Sequence, residues 1–114
     1  MEKNTNSNQI SDETIMAWAE TGIQLYSALL HEGLYPHSRF SAKVCLNEVG
    51  RTLASYLEGY YRIPSGESLA TAEALLDRIR PAIIERIAKE EADFYSERTA
   101  ERIASTAAAA RSNA

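Results

Sequence analysis

Between Ser41 and Tyr61 apolar residues return at alternating steps of four and three: Ala42, Leu46, Val49, Leu53, Tyr56 and Tyr60. That spacing aligns side chains along one face of a helix, and Cys45 and Leu57 widen the stripe. A helix with so broad an apolar face is not stable alone in water, so the segments on either side must cover it. The spacing therefore predicts a central helix around which the rest of the chain is built.

The preceding segment carries a second helical pattern. Ile10-Ser11-Asp12-Glu13-Thr14-Ile15 reads as a helix start, with Ser11 as N-cap, two acids in the first turn and Ile10 stapled to Ile15. The helix is expected to run to about Glu32 and to bury Ile15, Trp18, Ala19, Gly22, Leu25, Tyr26 and Leu29, with Leu30 flanking. Gly22 lies among the inward positions, where a neighbouring backbone can come close, and Gly33 suits a left-handed stop. Leu34 to Phe40 is a connection of the length that joins antiparallel helices. Ser41 caps the central helix with Phe40 and Cys45 as a staple, and Ser38 is a competing cap one turn earlier.

Ile63-Pro64-Ser65-Gly66 ends the central helix, and Ser65 is the expected cap of a third. Leu69, Ala72, Leu76, Ile79 and Ile83 repeat the central rhythm, so these two stripes should face each other. Pro81 interrupts the pattern: it removes a donor and clashes with the carbonyl of Asp77, at about 3 kcal/mol in a helix interior, which predicts a kink or break near Arg80. Beyond it nothing stops a helix until about Ala110, roughly 45 Å at 1.5 Å per residue. The inward stripe there is expected to become Ile84, Ala88, Ala92, Tyr95, Thr99, Ile103, Thr106 and Ala110. A long overhang would expose Phe94, Tyr95 and Ile103.

Composition leaves this picture intact and narrows the function. The chain has 114 residues, one domain's worth, with 45% apolar and 25% charged residues. Its net charge of −4 disfavours generic binding to phosphate backbones. The start, Met1 to Asn4, is polar with no apolar run behind it, and no membrane-length apolar stretch follows, so a cytoplasmic protein is expected. The one cysteine, Cys45, sits on the apolar stripe as a structural residue rather than in the electropositive pocket a nucleophile needs. His31 and His37 lack the spacing that puts two ligands on one helical face, and no Gly-rich phosphate loop occurs. No catalytic residue, metal site or cofactor is expected.

Surface candidates remain. Tyr61 and Arg62, with Tyr35 and Arg39 from the opposite loop, could anchor an interface, while Tyr56 and Tyr60 belong to the core stripe. On the last helix Glu85 and Lys89 form a favourable pair, Glu90, Asp93, Glu97 and Glu101 an acidic ridge, and Arg98 and Arg102 a basic one. The fold expected is all-α: a three-helix antiparallel bundle with the third helix kinked at Pro81 into a long C-terminal arm. Residues 1–10 would form a disordered tail, 11–88 the helical core and 89–114 the arm. The function expected is a non-enzymatic protein-binding module, such as a regulatory inhibitor, adaptor or assembly factor. It would bind a protein partner and act as a homo-oligomer through an antiparallel arm, using Phe94, Tyr95, Arg98, Arg102 and Ile103. The alternative is a nucleic-acid-linked protein. It would be either a weak binder through Tyr61, Arg62, Arg98 and Arg102 or an acidic mimic of a nucleic acid.

Overall fold

The computed structural model of the chain describes residues 9–35 and 39–112. Four helices follow one another: α1 (Asp12–His31), α2 (Ala42–Tyr61), α3 (Ser65–Arg78) and α4 (Arg80–Ser112). There is no strand among the described residues, and none of the described helices is long and apolar enough to cross a membrane. The bulk of the tail expected before Ile10, and the competing cap at Ser38, lie outside the described residues.

Local chemistry sets the ends of α1. Ser11 has extended dihedrals and its Oγ accepts the Thr14 N–H at 3.1 Å, while Ile10 and Ile15 are both buried as a staple. At the other end the Leu34 N–H reaches the Leu29 carbonyl at 2.9 Å and the Gly33 N–H the Leu30 carbonyl at 3.1 Å. That pair of bonds needs a left-handed residue, and Gly33 takes φ 73° at no steric cost. α2 opens in the same way, with Ser41 Oγ accepting the Val44 N–H at 3.2 Å and Phe40 and Cys45 buried beside it. It closes on Arg62, which adopts the left-handed conformation at φ 58° so that the Ile63 N–H can return to the Leu57 carbonyl.

α1 and α2 form the expected hairpin, with α2 as the hub against which α1 and α3 both pack. The close approach is at Gly22: a Cβ there would stand 3.1 Å from Val49 Cα and 2.8 Å from Thr52 Oγ1. The hairpin is fastened beside its connecting loop by Tyr26, whose OH accepts the Ser41 N–H at 2.9 Å. Serving two neighbours turns α2 relative to its expected stripe. Cys45, Val49, Leu53 and Leu57 form the buried line and Gly50 and Ala54 widen it, whereas Ala42 and Tyr60 are exposed and Leu46 and Tyr56 half-buried. On α1 the same happens: Ile23 is buried, and Leu25, expected inside, faces solvent.

The third segment corrects the sequence reading most. Ser65 is not a side-chain cap; Pro64 holds the cap position, its carbonyl accepting the Glu67 and Ser68 N–H groups at 2.8 and 3.1 Å. Ser68 is buried and donates to the Glu58 carboxylate. Leu69 is exposed, while Ala72, Leu75, Leu76 and Ile79 face the core. The bundle has four helices rather than three, because the chain breaks instead of kinking. Ile79 leaves helical geometry at φ −122°, ψ 20°, and α4 starts afresh at Arg80 with Pro81 in its first turn. There the missing N–H of proline would have had no helical partner, so the break avoids the penalty of a proline inside a helix.

α4 then crosses α1 and α2, burying Ile83, Ile87 and Phe94. From Thr99 to Ala108 every side chain is exposed. At 33 residues the helix is about 50 Å long, and its projecting end gives the molecule extents of 74 × 24 × 19 Å.

Candidate functional site

Four constellations stand out: two at opposite ends of the α1–α2 hairpin, a charge cluster between them, and the outer face of α4. At the first end, the antiparallel register brings Trp18 of α1 against the last turn and a half of α2. Its ring stacks on Tyr56 at 4.9 Å and lies near-parallel to Tyr60 at 6.5 Å, with Tyr61 edge-on at 6.1 Å. Tyr60, expected in the core, is 72% exposed; Tyr61, expected as a surface anchor, is half-buried and packed against the core. Arg62 is exposed. An open groove of about 560 Å³ runs along this cluster, lined by Ala17, Trp18, Thr21 and the three tyrosines. Trp18 is the member that spacing alone assigns to the core.

At the other end, Tyr26 is the centre of an aromatic cluster. Tyr35 and Phe40 meet its ring edge-on at 5.2 and 5.0 Å, and Phe40 lies 5.7 Å from Phe94. Phe94, expected to be exposed on the arm, is only 1% exposed, with His31 at 4.6 Å and Tyr95 at 5.3 Å. Further contacts fasten the base of the arm: the Phe40 N–H donates to Tyr95 Oη at 3.0 Å, His31 Nε2 lies 3.2 Å from the Glu97 carboxylate, and the Arg98 guanidinium sits 5.3 Å over the Phe94 ring. Tyr35 is half-buried, its phenol pushed up to about 12 by burial and by the neighbouring Glu48 carboxylate. Arg39 is exposed, and His37 lies outside the described residues.

Between the ends, a charge cluster joins α1 to α4. The Arg86 guanidinium donates to both oxygens of Glu20, at 2.8 and 2.5 Å, and pairs with Glu90 at 3.0 Å. The hydrogen bonds from Arg86 hold the Glu20 carboxyl below its ordinary value against the opposing effect of burial. Beside them, burial pushes the Cys45 thiol up to about 12, with the Glu90 carboxylate adding to the effect. The thiolate that nucleophilic or redox chemistry requires is therefore scarce at neutral pH. Cys45 should resist a thiol-specific reagent at about pH 8 in the native protein and react at once in denaturant. Native-state labelling at the rate of a free cysteine would contradict that burial.

The last constellation is the outer face of α4. Ile84, Ala88, Ala92, Tyr95, Thr99, Ile103 and Thr106, expected as the inward stripe, look out to solvent, with Ile84 53%, Tyr95 39% and Ile103 64% exposed. The core takes the side of Ile83, Ile87 and Phe94, roughly 120–160° around the helix from Thr99 at 3.6 residues per turn. The acidic ridge is also not a row of self-repelling carboxylates. Glu90 pairs with Arg86 and Glu97 with His31, while Lys89 pairs at 3.1 Å with Asp93, not with the expected Glu85. Glu101 and Arg102 are exposed on the projecting part.

No protein-family model, curated protein or solved structure matches this chain. The functional reading therefore rests on these constellations. Tyr61 and Arg62 stand at the Trp18 end of the hairpin, Arg98 beside Phe94 at the other, so no single patch unites them. Among the described residues no group of three or more His, Cys, Asp or Glu side chains could hold a metal ion.

Proposed function

We propose that the protein is a small, non-enzymatic protein-binding module, an adaptor, assembly factor or inhibitor, whose docking element is the free face of α4 and which acts as a homo-oligomer. The exposure of Ile84, Tyr95 and Ile103 along one face of one helix carries this reading. Each such side chain is worth about 1.5–3 kcal/mol if fully buried, and together they make a line of anchors of the kind a helical partner covers. The face is presented in a fixed direction, because Phe94 and the Tyr95 hydroxyl tie the base of the arm to the core. Pre-ordering of that kind lowers the entropic cost of binding. The nucleic-acid reading draws less support: the net charge is −4, and its candidate residues are divided between the two ends of a hairpin.

The test is affinity capture with the tagged full chain, before and after nuclease, repeated with Ile103→Glu. An exposed residue is changed, so the helical circular dichroism at about 25 °C should be unchanged. Protein partners, an untagged copy of the chain included, should survive nuclease and be lost in the variant. Capture that vanishes with nuclease, or that ignores Ile103→Glu, would sink the proposal.

A further inference from the structure

The aromatic groove at the Trp18 end of the hairpin holds more hydrogen-bond donors than the fold uses. Of the six tyrosines, three engage their hydroxyls inside the molecule: Tyr26 and Tyr95 accept backbone N–H groups, and Tyr35 bonds to Glu48. The other three, Tyr56, Tyr60 and Tyr61, line the groove. Neither their hydroxyls nor the Trp18 indole N–H makes a hydrogen bond among the described residues. A second hollow of about 490 Å³ shares Thr21, Tyr56 and Tyr60 with the first and adds Leu25, Thr52, Ser55 and Gly59. Tyr56 and Tyr60, whose rings are parallel within 7° and 5.8 Å apart, thus border both hollows. No charged side chain and no carboxamide lines either one.

Ring faces beside unbonded donors suit a ligand that is apolar, rich in carbonyls and poor in N–H groups. A proline-rich chain has that chemistry: proline lacks the N–H, and in the polyproline II conformation no carbonyl is bonded internally. A helix satisfies its own carbonyls and would leave these donors idle, while an added β-strand needs a sheet edge, and the described residues contain no strand. A sugar hydroxyl gives a hydrogen bond as well as taking one, and here no carboxylate or carboxamide receives it. A single-stranded nucleic acid needs a basic groove, which this uncharged lining does not offer. We propose that the two hollows bind a proline-rich segment of another protein, its prolines packed on the Tyr56 and Tyr60 rings and an acidic residue beside it drawn to Arg62. The site is separate from the free face of α4, so the inference stands apart from that reading.

Two residues that the fold itself does not call for support it. Arg62 closes α2 in the left-handed conformation, where glycine is cheapest, and its guanidinium makes no ion pair among the described residues. It follows Tyr61 directly and so stands at the rim of the first hollow. The other charges beside the lining residues are engaged: Glu20 by Arg86, Glu58 by the Ser68 hydroxyl, and Arg51 acts on Tyr35 towards the other end of the hairpin. Gly59 weakens the helix it belongs to, and a Cβ there would meet nothing within 4 Å. Packing within the fold does not require a glycine at that position, whereas a chain lying across the second hollow gains a close approach to the backbone.

Trp18 is the chain's only tryptophan, so its fluorescence reports on the site directly. Titration of the full chain with a decaproline flanked by an aspartate on each side should change that emission to saturation, and a lysine-flanked decaproline should bind more weakly. Arg62→Glu should reverse the preference between the two peptides. Gly59→Ala should weaken binding roughly tenfold or more without lowering the thermal midpoint, since the added methyl group enters the hollow and touches nothing in the fold. Ile103→Glu, on the distant arm, should leave the titration unchanged. No saturable change with either peptide, or a Gly59→Ala variant that binds like the parent, would overturn the site. Saturation by oligothymidylate or cellohexaose in place of the peptides would overturn the ligand class.

Discussion

Phe94→Ala should lower the stability of the protein by about 3–5 kcal/mol, the cost of truncating a fully buried phenylalanine. Few residues of α4 are so enclosed: its ring packs with His31, Phe40 and Tyr95 and carries the Arg98 guanidinium on one face. The loss should have a second signature. Because Tyr95 and Glu97 join the arm to the hairpin just beside this ring, its removal should loosen α4 from Glu91 outward. Amide exchange there should then accelerate more than in α1 or α2. A denaturant midpoint equal to the parent's would mean that the base of the arm is not seated as described.

Leu53→Ala and Leu76→Ala should each cost about 2–5 kcal/mol, because each leaves a cavity in a core that has no exposed edge at that point. Leu53 lies on the buried line of α2 and Leu76 on that of α3. Leu76 reaches α2 beside Gly50, where a Cβ would stand in ordinary contact at 3.8 Å from its Cδ1. Exposed neighbours provide the control. Leu69→Ala removes a leucine of the same helix that faces water, and surface changes of that kind usually stay within about 0.5 kcal/mol. Equal midpoint shifts for Leu69→Ala and Leu76→Ala in urea would contradict the orientation of α3.

What the sequence by itself determined is whatever is closed by bonds between residues a few positions apart. Ser11 and Ser41 cap their helices with their own Oγ atoms, Gly33 takes the left-handed stop of α1, and the two staples bury Ile10 with Ile15 and Phe40 with Cys45. Gly22 was legible as a close approach because a missing side chain in an apolar stripe has few other uses. The tertiary structure alone decided which part of each stripe is buried. Spacing defines an apolar face but not its centre, and α2 turns so that Leu53 and Leu57 serve two neighbours while Tyr60 moves into solvent. α4 shows the reason most clearly. It carries one apolar line through Ile83, Ile87 and Phe94 and another through Ile84, Tyr95 and Ile103, both compatible with helical spacing. The Phe40 and His31 rings pack on Phe94 of the first line, while of the second Ile84 and Ile103 stay in solvent and Tyr95 reaches back only through its hydroxyl. The break at Ile79, the Trp18 stack on Tyr56 and the clasp of Arg86 by Glu20 belong to the same class. Whether Pro81 kinks a helix or starts one, and which side chains meet across 38 or 66 positions of chain, depends on how the packed helices are placed, and no local pattern records that.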